Sequence, residues 1–244
     1  MKIAFCFFGQ PRYLESTFSD YKNIVKDHDV FVHTWSSNLP KEFKSFNNLR
    51  SFIYEPAYDT RTHAFYGVLP PEDTRIIRHA RETGGLESFD KTWEIPGWFA
   101  KPVNATSMWH SMSKSIALAL EYECKTGNQY DRIILIRTDL NLDSSFKIED
   151  TFVGDVHQFL MPDYHPGSKI NFWTPDHFVS MTREAARLIT TLLQSSYHYY
   201  YAANVPEVPE ILLGFHMLQN GMKLKKSGLM YRKDYRFFND DGKI

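Results

Sequence analysis

Cysteine is scarce in this chain: Cys6 and Cys124 are its only two among 244 residues. Neither has a nearby Cys or His at metal-ligand spacing, which excludes a cysteine-based zinc site. Both read as small buried hydrophobes in a reducing compartment. Charge of one sign is equally lacking. Lys and Arg total 28 against 29 Asp and Glu, a formal net charge of −1, so no polyanion-binding surface and no nucleic-acid partner is indicated. No apolar run approaches the roughly 20 residues that a transmembrane helix requires. The first residues, Met1 to Phe8, carry one lysine and a short apolar run, with no small-residue cleavage site behind it. They read as a first strand and not as a signal peptide, and the expected location is the cytoplasm. Internal repeats, heptads and low-complexity tracts are also missing.

What remains is an ordinary globular balance, 43% hydrophobic and 23% charged, long enough for one large domain or two small ones. Residues 2–8 read as a strand ending at Gly9. Leu14 to about Lys26 reads as a helix with Leu14, Phe18, Tyr21 and Val25 at helical spacing. Asp29–Trp35 and Ser51–Glu55 follow as strands, giving a βαβ unit. Residues 57–106 are less regular, with a helix expected from about Pro71 to Glu82 between Pro-rich and Gly-rich stretches. The spacing predicts a long helix from Ser107 to Lys125, stopped by Gly127-Asn128. A fully buried strand then runs through Ile133, Ile134, Leu135 and Ile136. Short strands at 159–161 and 177–181 come next. A helix capped by Thr182 is expected to run to about Leu193, and another from Pro209 to Gln219. A last strand is expected from Lys223 to Met230. The aromatic cluster Tyr197–Tyr201 offers a route to peripheral membrane association, which is not the favoured reading. The order of elements indicates one α/β domain over 1–244, a mostly parallel central sheet flanked by helices.

Three loops should converge at the carboxyl edge of that sheet, where ligands bind in open α/β folds. The first is Gly9-Gln10-Pro11-Arg12. Gly9 would admit a ligand close to the backbone, and the Arg12 fork suits a phosphate. It is neither a dinucleotide fingerprint nor a P-loop, since the further glycines and the Gly-Lys-Ser/Thr element are absent. The second, His33-Thr34-Trp35, could contact a base or a sugar; a satisfied core histidine is the plainer alternative. The third is Arg137-Thr138-Asp139-Leu140-Asn141. Asp139 and Asn141, two apart, project from one side if the segment is extended, and oxygen ligands there suit Mg²⁺ or Mn²⁺. An Asx-rich turn explains the same residues without a ligand.

The blocks Phe-Phe-Gly-Gln-Pro-Arg, Asp-Val-Phe-Val-His-Thr-Trp and Ile-Arg-Thr-Asp-Leu, in that order along the sheet, resemble a group of viral and bacterial nucleotide-sugar glycosyltransferases with a GT-A-like, Rossmann-related fold. The resemblance implies transfer of a sugar from a nucleotide-sugar donor to a hydroxyl of a glycan, lipid-linked or protein acceptor. Residues 1–145 would form the donor half and 146–244 the acceptor half. An Asp-x-Asp element holding Mn²⁺ or Mg²⁺ against the donor diphosphate would fall at Asp139 and Asn141, with Asn replacing the second acid. Asp143, Arg12 or Arg137 would compensate. Gly9, Gln10 and Arg12 would approach the diphosphate, and His110 and Lys114 would line the donor site from the long helix. Glu210, Glu207 and Asp176 are the candidates for a base that takes the acceptor proton. An acid at 210 also complements the helix dipole with no catalytic role. His216 on the same helix could reach a metal, although a histidine among Phe215, Met217 and Leu218 is more often packed. Two other readings stand beside this one. A nucleotidyltransferase acting on a sugar phosphate would usually show more glycine after the first strand. A non-catalytic carbohydrate-binding protein would leave Arg12, Arg137 and Asp139 unexplained.

Overall fold

A computed structural model describes residues 1–57, 102–142, 146–159, 176–203 and 209–227, together with Thr174, Val205 and 232–233. The strands are β1 (Ile3–Gly9), β2 (Asp29–Trp35), β3 (Leu49–Glu55), β4 (Arg132–Arg137), β5 (Leu140–Asn141), β6 (Val156–Phe159), β7 (Phe178–Met181), β8 (Leu224–Ser227) and β9 (Arg232–Lys233). The helices are α1 (Leu14–Val25), α2 (Lys41–Lys44), α3 (Pro102–Thr126), α4 (Arg183–Ile189), α5 (Leu192–Ala203) and α6 (Pro209–Gln219). A 3₁₀ turn spans Ile148–Thr151.

β1 and β4 carry unbroken apolar runs because both of their faces are covered. In β1, Ala4, Cys6 and Phe8 join a core with α3, while Ile3, Phe5 and Phe7 join a second core with α1 and α2. Ile133 and Leu135 of β4 follow the first group, and Ile134 and Ile136 the second. That is the period-two alternation of a strand between two helical layers. Seven strands order as β3-β2-β1-β4-β7-β6-β8. β3, β2, β1 and β4 pair in parallel, β7 runs antiparallel to both β4 and β6, and β8 is parallel to β6. The fold is therefore α/β with a mixed, mostly parallel sheet flanked by helices, and strands from both halves of the chain share it. Among the described residues no helix is long and apolar enough to cross a membrane.

Local chemistry accounts for two of the helix ends. Gly127 stops α3 with φ 70°, donating its N–H to the Glu123 carbonyl at 2.8 Å. The Thr182 hydroxyl accepts from Ala185 N–H at 3.4 Å and caps α4.

Several expectations need correction. α3 begins at Pro102 and not at Ser107, a first-turn proline that costs no helical hydrogen bond. The helix expected from Thr182 to Leu193 breaks after Ile189. There the Thr190 and Thr191 hydroxyls donate back to the Arg187 and Leu188 carbonyls at 2.6 and 2.8 Å, competing with the ladder. A separate helix, α5, then takes in the aromatic cluster 197–201. Cys124 is exposed, because its neighbour Glu123 is the residue turned inward, where it accepts from Tyr130 N–H and Arg183 Nε, each at 2.7 Å. The helix expected at 71–82, the positions 160–161 and 228–230 of two expected strands, and Asp143 lie outside the described residues.

Candidate functional site

β1, β2, β3 and β4 all end on one edge of the sheet, and antiparallel β7 begins there. The chain runs from β1 outward to β2 and β3 on one side and to β4 on the other, so the strand order reverses between β1 and β4. Ligands of doubly wound folds bind at such a reversal.

At the head of β1, Gly9 takes φ 93°, and a side-chain carbon built there would meet nothing within 4 Å. The surface above it is open, and the requirement for glycine is conformational. Its N–H donates to Ser111 Oγ at 2.7 Å. Gln10 and Arg12 are exposed. The Thr138 hydroxyl contacts the Gln10 and Arg12 carbonyls, at 2.8 and 3.2 Å, which ties the loop after β1 to the loop after β4. Gly9→Ala is expected to cost about 1–3 kcal/mol in urea denaturation through backbone strain alone. A smaller loss would mean that the loop relaxes.

Two side-chain groups stand along this edge. In the first, Arg137 grips Asp139 with two bonds, Nε to Oδ1 at 3.0 Å and Nη2 to Oδ2 at 2.5 Å. Its Nη1 reaches Asp176 Oδ2 at 3.4 Å, and Asp176 Oδ1 lies 2.8 Å from His177 Nδ1. Both acids are buried. The Tyr21 hydroxyl braces the backbone beneath, 2.9 Å from the Arg137 carbonyl and 2.7 Å from that of Leu140, while accepting Leu140 N–H at 3.0 Å. Burial pushes the Tyr21 phenol up, so it stays neutral.

The second group is built on β2, β3 and α3. His33 and Trp35 lie two apart on β2, as do Ile53 and Glu55 on β3. Like Phe31, Ile53 packs into the core on the α3 side. His33 Nδ1 meets Ser111 Oγ at 2.7 Å, and its Nε2 meets Glu55 Oε1 at 2.9 Å. His110 Nε2 lies 3.4 Å from the same Glu55 oxygen. Trp35 stacks on His110 at 5.5 Å and meets His33 edge-on at 4.9 Å. Burial lowers the His33 imidazole to about 4, against the opposing pull of Glu55. Burial alone would raise the Glu55 carboxyl, but the hydrogen bond from His33 and the charges of His110 and Lys114 hold it below its ordinary value. The arrangement is a neutral histidine donating to a carboxylate. Ser111, His33 and Glu55 also have the connectivity of a hydrolytic triad. Ser111, however, is wholly buried and already accepts from Gly9, so it has no path to a substrate.

The structure thus brings together Gly9, His33, Trp35 and His110, with Lys114 close enough to bias their charge. It separately joins Arg137, Asp139 and Asp176. Thr138 and Asp139 form a turn before the short strand β5, so the extended segment that would align Asp139 with Asn141 is interrupted. The side chain of Asn141, and Glu207 altogether, lie outside the described residues. Glu210 is buried in the first turn of α6. Its carbonyl accepts Thr174 N–H at 3.1 Å, which anchors that helix start two residues from Asp176. His216 is packed away from this edge, between the Tyr199 hydroxyl and the Leu188 carbonyl at 2.8 Å each.

Sequence reasoning missed Glu55, Ser111, His177 and Tyr21. Glu55 carried a signal, as an acid closing a strand at the same edge as His33. Ser111 and Tyr21 carried none beyond helical spacing. A scan of the chain against family models finds no match, and a search of curated proteins finds none either.

Proposed function

We propose that this chain is a glycosyltransferase that moves a sugar from a nucleotide-diphosphate donor to an acceptor hydroxyl. One observation carries the reading: the loops after β1 and β4 are joined through the Thr138 hydroxyl where the strand order reverses, and Gly9 leaves open backbone beside them. Two of the three sequence blocks that resemble nucleotide-sugar transferases run into these loops, and the other is β2 itself. The leaving diphosphate gathers negative charge as the sugar carbon becomes cationic, and fixed positive groups lower that barrier. Arg12, exposed in the loop after Gly9, and Arg137, at the end of β4, are our candidates for that task. Asp176, on the edge beside Arg137, is our choice for the group that takes the acceptor proton. Glu210, whose backbone carbonyl accepts Thr174 N–H, is the alternative.

A divalent cation, Mn²⁺ or Mg²⁺, belongs to the resemblance. Both oxygens of Asp139 already accept from Arg137. A cation there would have to share or displace the guanidinium, so no step is assigned to it. Binding should be visible as thermal stabilisation by UDP, GDP, CMP or dTDP, each with and without Mn²⁺. A ligand at 100 times its dissociation constant adds roughly 2.7 kcal/mol. One diphosphate is expected to raise the melting temperature, and Arg12→Ala to abolish the rise. A flat panel would transfer the weight to a carbohydrate-binding protein that needs no nucleotide.

A further inference from the structure

We propose that His33, Glu55 and His110 bind one divalent transition-metal ion of the zinc class, with a fourth coordination position open beside Glu55. The three candidate ligand atoms all lie within 4.8 Å of one another. Two imidazole nitrogens converge on one carboxylate oxygen, at 2.9 and 3.4 Å. Metal bonds of about 2.0–2.2 Å at tetrahedral angles put ligand atoms roughly 3.4 Å apart. The observed set therefore needs only a small opening at His33 and a closing of the two rings. Two imidazoles with one carboxylate favour Zn²⁺, Co²⁺ or Fe²⁺ over Mg²⁺, which prefers oxygen alone.

The surroundings are those of a supported metal site. A ligating histidine needs its other nitrogen held by a partner, and Ser111 does this for His33. With Nε2 on a metal, His33 Nδ1–H would donate to Ser111 Oγ. That hydroxyl already accepts from Gly9 and can turn its own proton toward the His33 carbonyl, 3.4 Å away. Without metal, the hydroxyl donates to Nδ1 and Nε2–H donates to Glu55. His33 and Ser111 are satisfied in either state, so loading asks of that pair only a tautomer change. Trp35 walls both rings on one side. Glu55 keeps 28% of its side chain exposed, which leaves one approach for the ion and for an exchangeable fourth ligand. Three protein ligands and one open position are the pattern of reactive rather than purely structural zinc sites.

The inference stands apart from the transferase reading, because the probe is the metal alone. Chelator-stripped full chain is titrated with Co²⁺, reading visible d–d absorption and bound metal per chain. One equivalent is expected, displaced by Zn²⁺ and not by Mg²⁺. His110→Ala and Glu55→Gln should each weaken binding roughly 100-fold or more, and Ser111→Ala about 10- to 100-fold with the ligands intact. Glu55→Gln is partly exposed and should fold even where His110→Ala does not, as circular dichroism will show. Absence of binding by the unaltered chain overturns the proposal. So does binding that survives both ligand substitutions, or that is lost only with Asp139→Ala.

Discussion

Arg137→Met is expected to lose about 3–5 kcal/mol of stability and, for the sugar transfer proposed above, a factor of roughly 10²–10³ in kcat/KM. The stability loss follows from what is left behind. Asp139 and Asp176 are buried, and the guanidinium is the cation that both of them contact. Methionine fills the volume and leaves Asp139 and Asp176 buried without the guanidinium, with His177 beside Asp176. Loss of the buried cation favours protonation around the two acids, so mild acidification should narrow the stability gap between variant and parent. Asp139→Asn is the informative contrast. It leaves Arg137 with Asp176 and with partial access to water, and should cost less than Arg137→Met. Urea denaturation of the three proteins at two pH values checks the order. If Arg137→Met stays within 1 kcal/mol of the parent at neutral pH, the pair is not structural. If it folds but retains full transfer, Arg137 does not face the diphosphate.

Much of the fold was legible because burial on both faces writes itself as an unbroken apolar run. Ile133–Ile136 and Ile3–Phe8 could be little other than central strands, and the helix-stopping Gly127 and the capping Thr182 marked their boundaries by chemistry that acts locally. The edges of elements with weaker signals moved. Thr190 and Thr191 split one expected helix into two, because side-chain hydroxyls competing for carbonyls leave no periodicity to read. The direction of the later strands was also hidden, since antiparallel β7 inserts beside β4 through a connection that no local pattern encodes.

The candidate site was half legible for the same reason. The strand ends could be named, and so Gly9, His33, Arg137 and Asp139 were found. Partnership could not. The sequence leaves Asp139 open to two readings, a metal ligand by the resemblance and its two-residue spacing to Asn141, and a member of an Asx-rich turn. In space its neighbour is the Arg137 guanidinium, two residues back around a turn. For His33 the sequence leaves open a base or sugar contact and a satisfied core histidine; it is buried and bonded to Glu55 from the adjacent strand and Ser111 from a helix 78 residues on, partners that the sequence does not name. Contacts between distant segments depend on register and on which helix face turns inward, and a single sequence carries neither.

Acid should destabilise the fold well before its carboxylates titrate, and His157 gives the sharpest handle on this. It is wholly buried on β6, and burial, with repulsion from nearby Arg132, lowers its imidazole from 6.5 to about 4. Between those values the unfolded chain holds a proton that the native chain refuses, so stability falls as pH falls. The loss is absent above about 6.5, grows through the window and levels off below about 4, reaching on the order of 3 kcal/mol. Burial also lowers His216, on α6, and acts in the same direction. His157→Leu removes one titrating group while keeping the site apolar. Denaturant unfolding at intervals from pH 7 to 4.5 should show a slope in the variant shallower by close to one proton. An unchanged slope would mean that His157 accepts its proton in the native state, with β6 opening toward water to allow it.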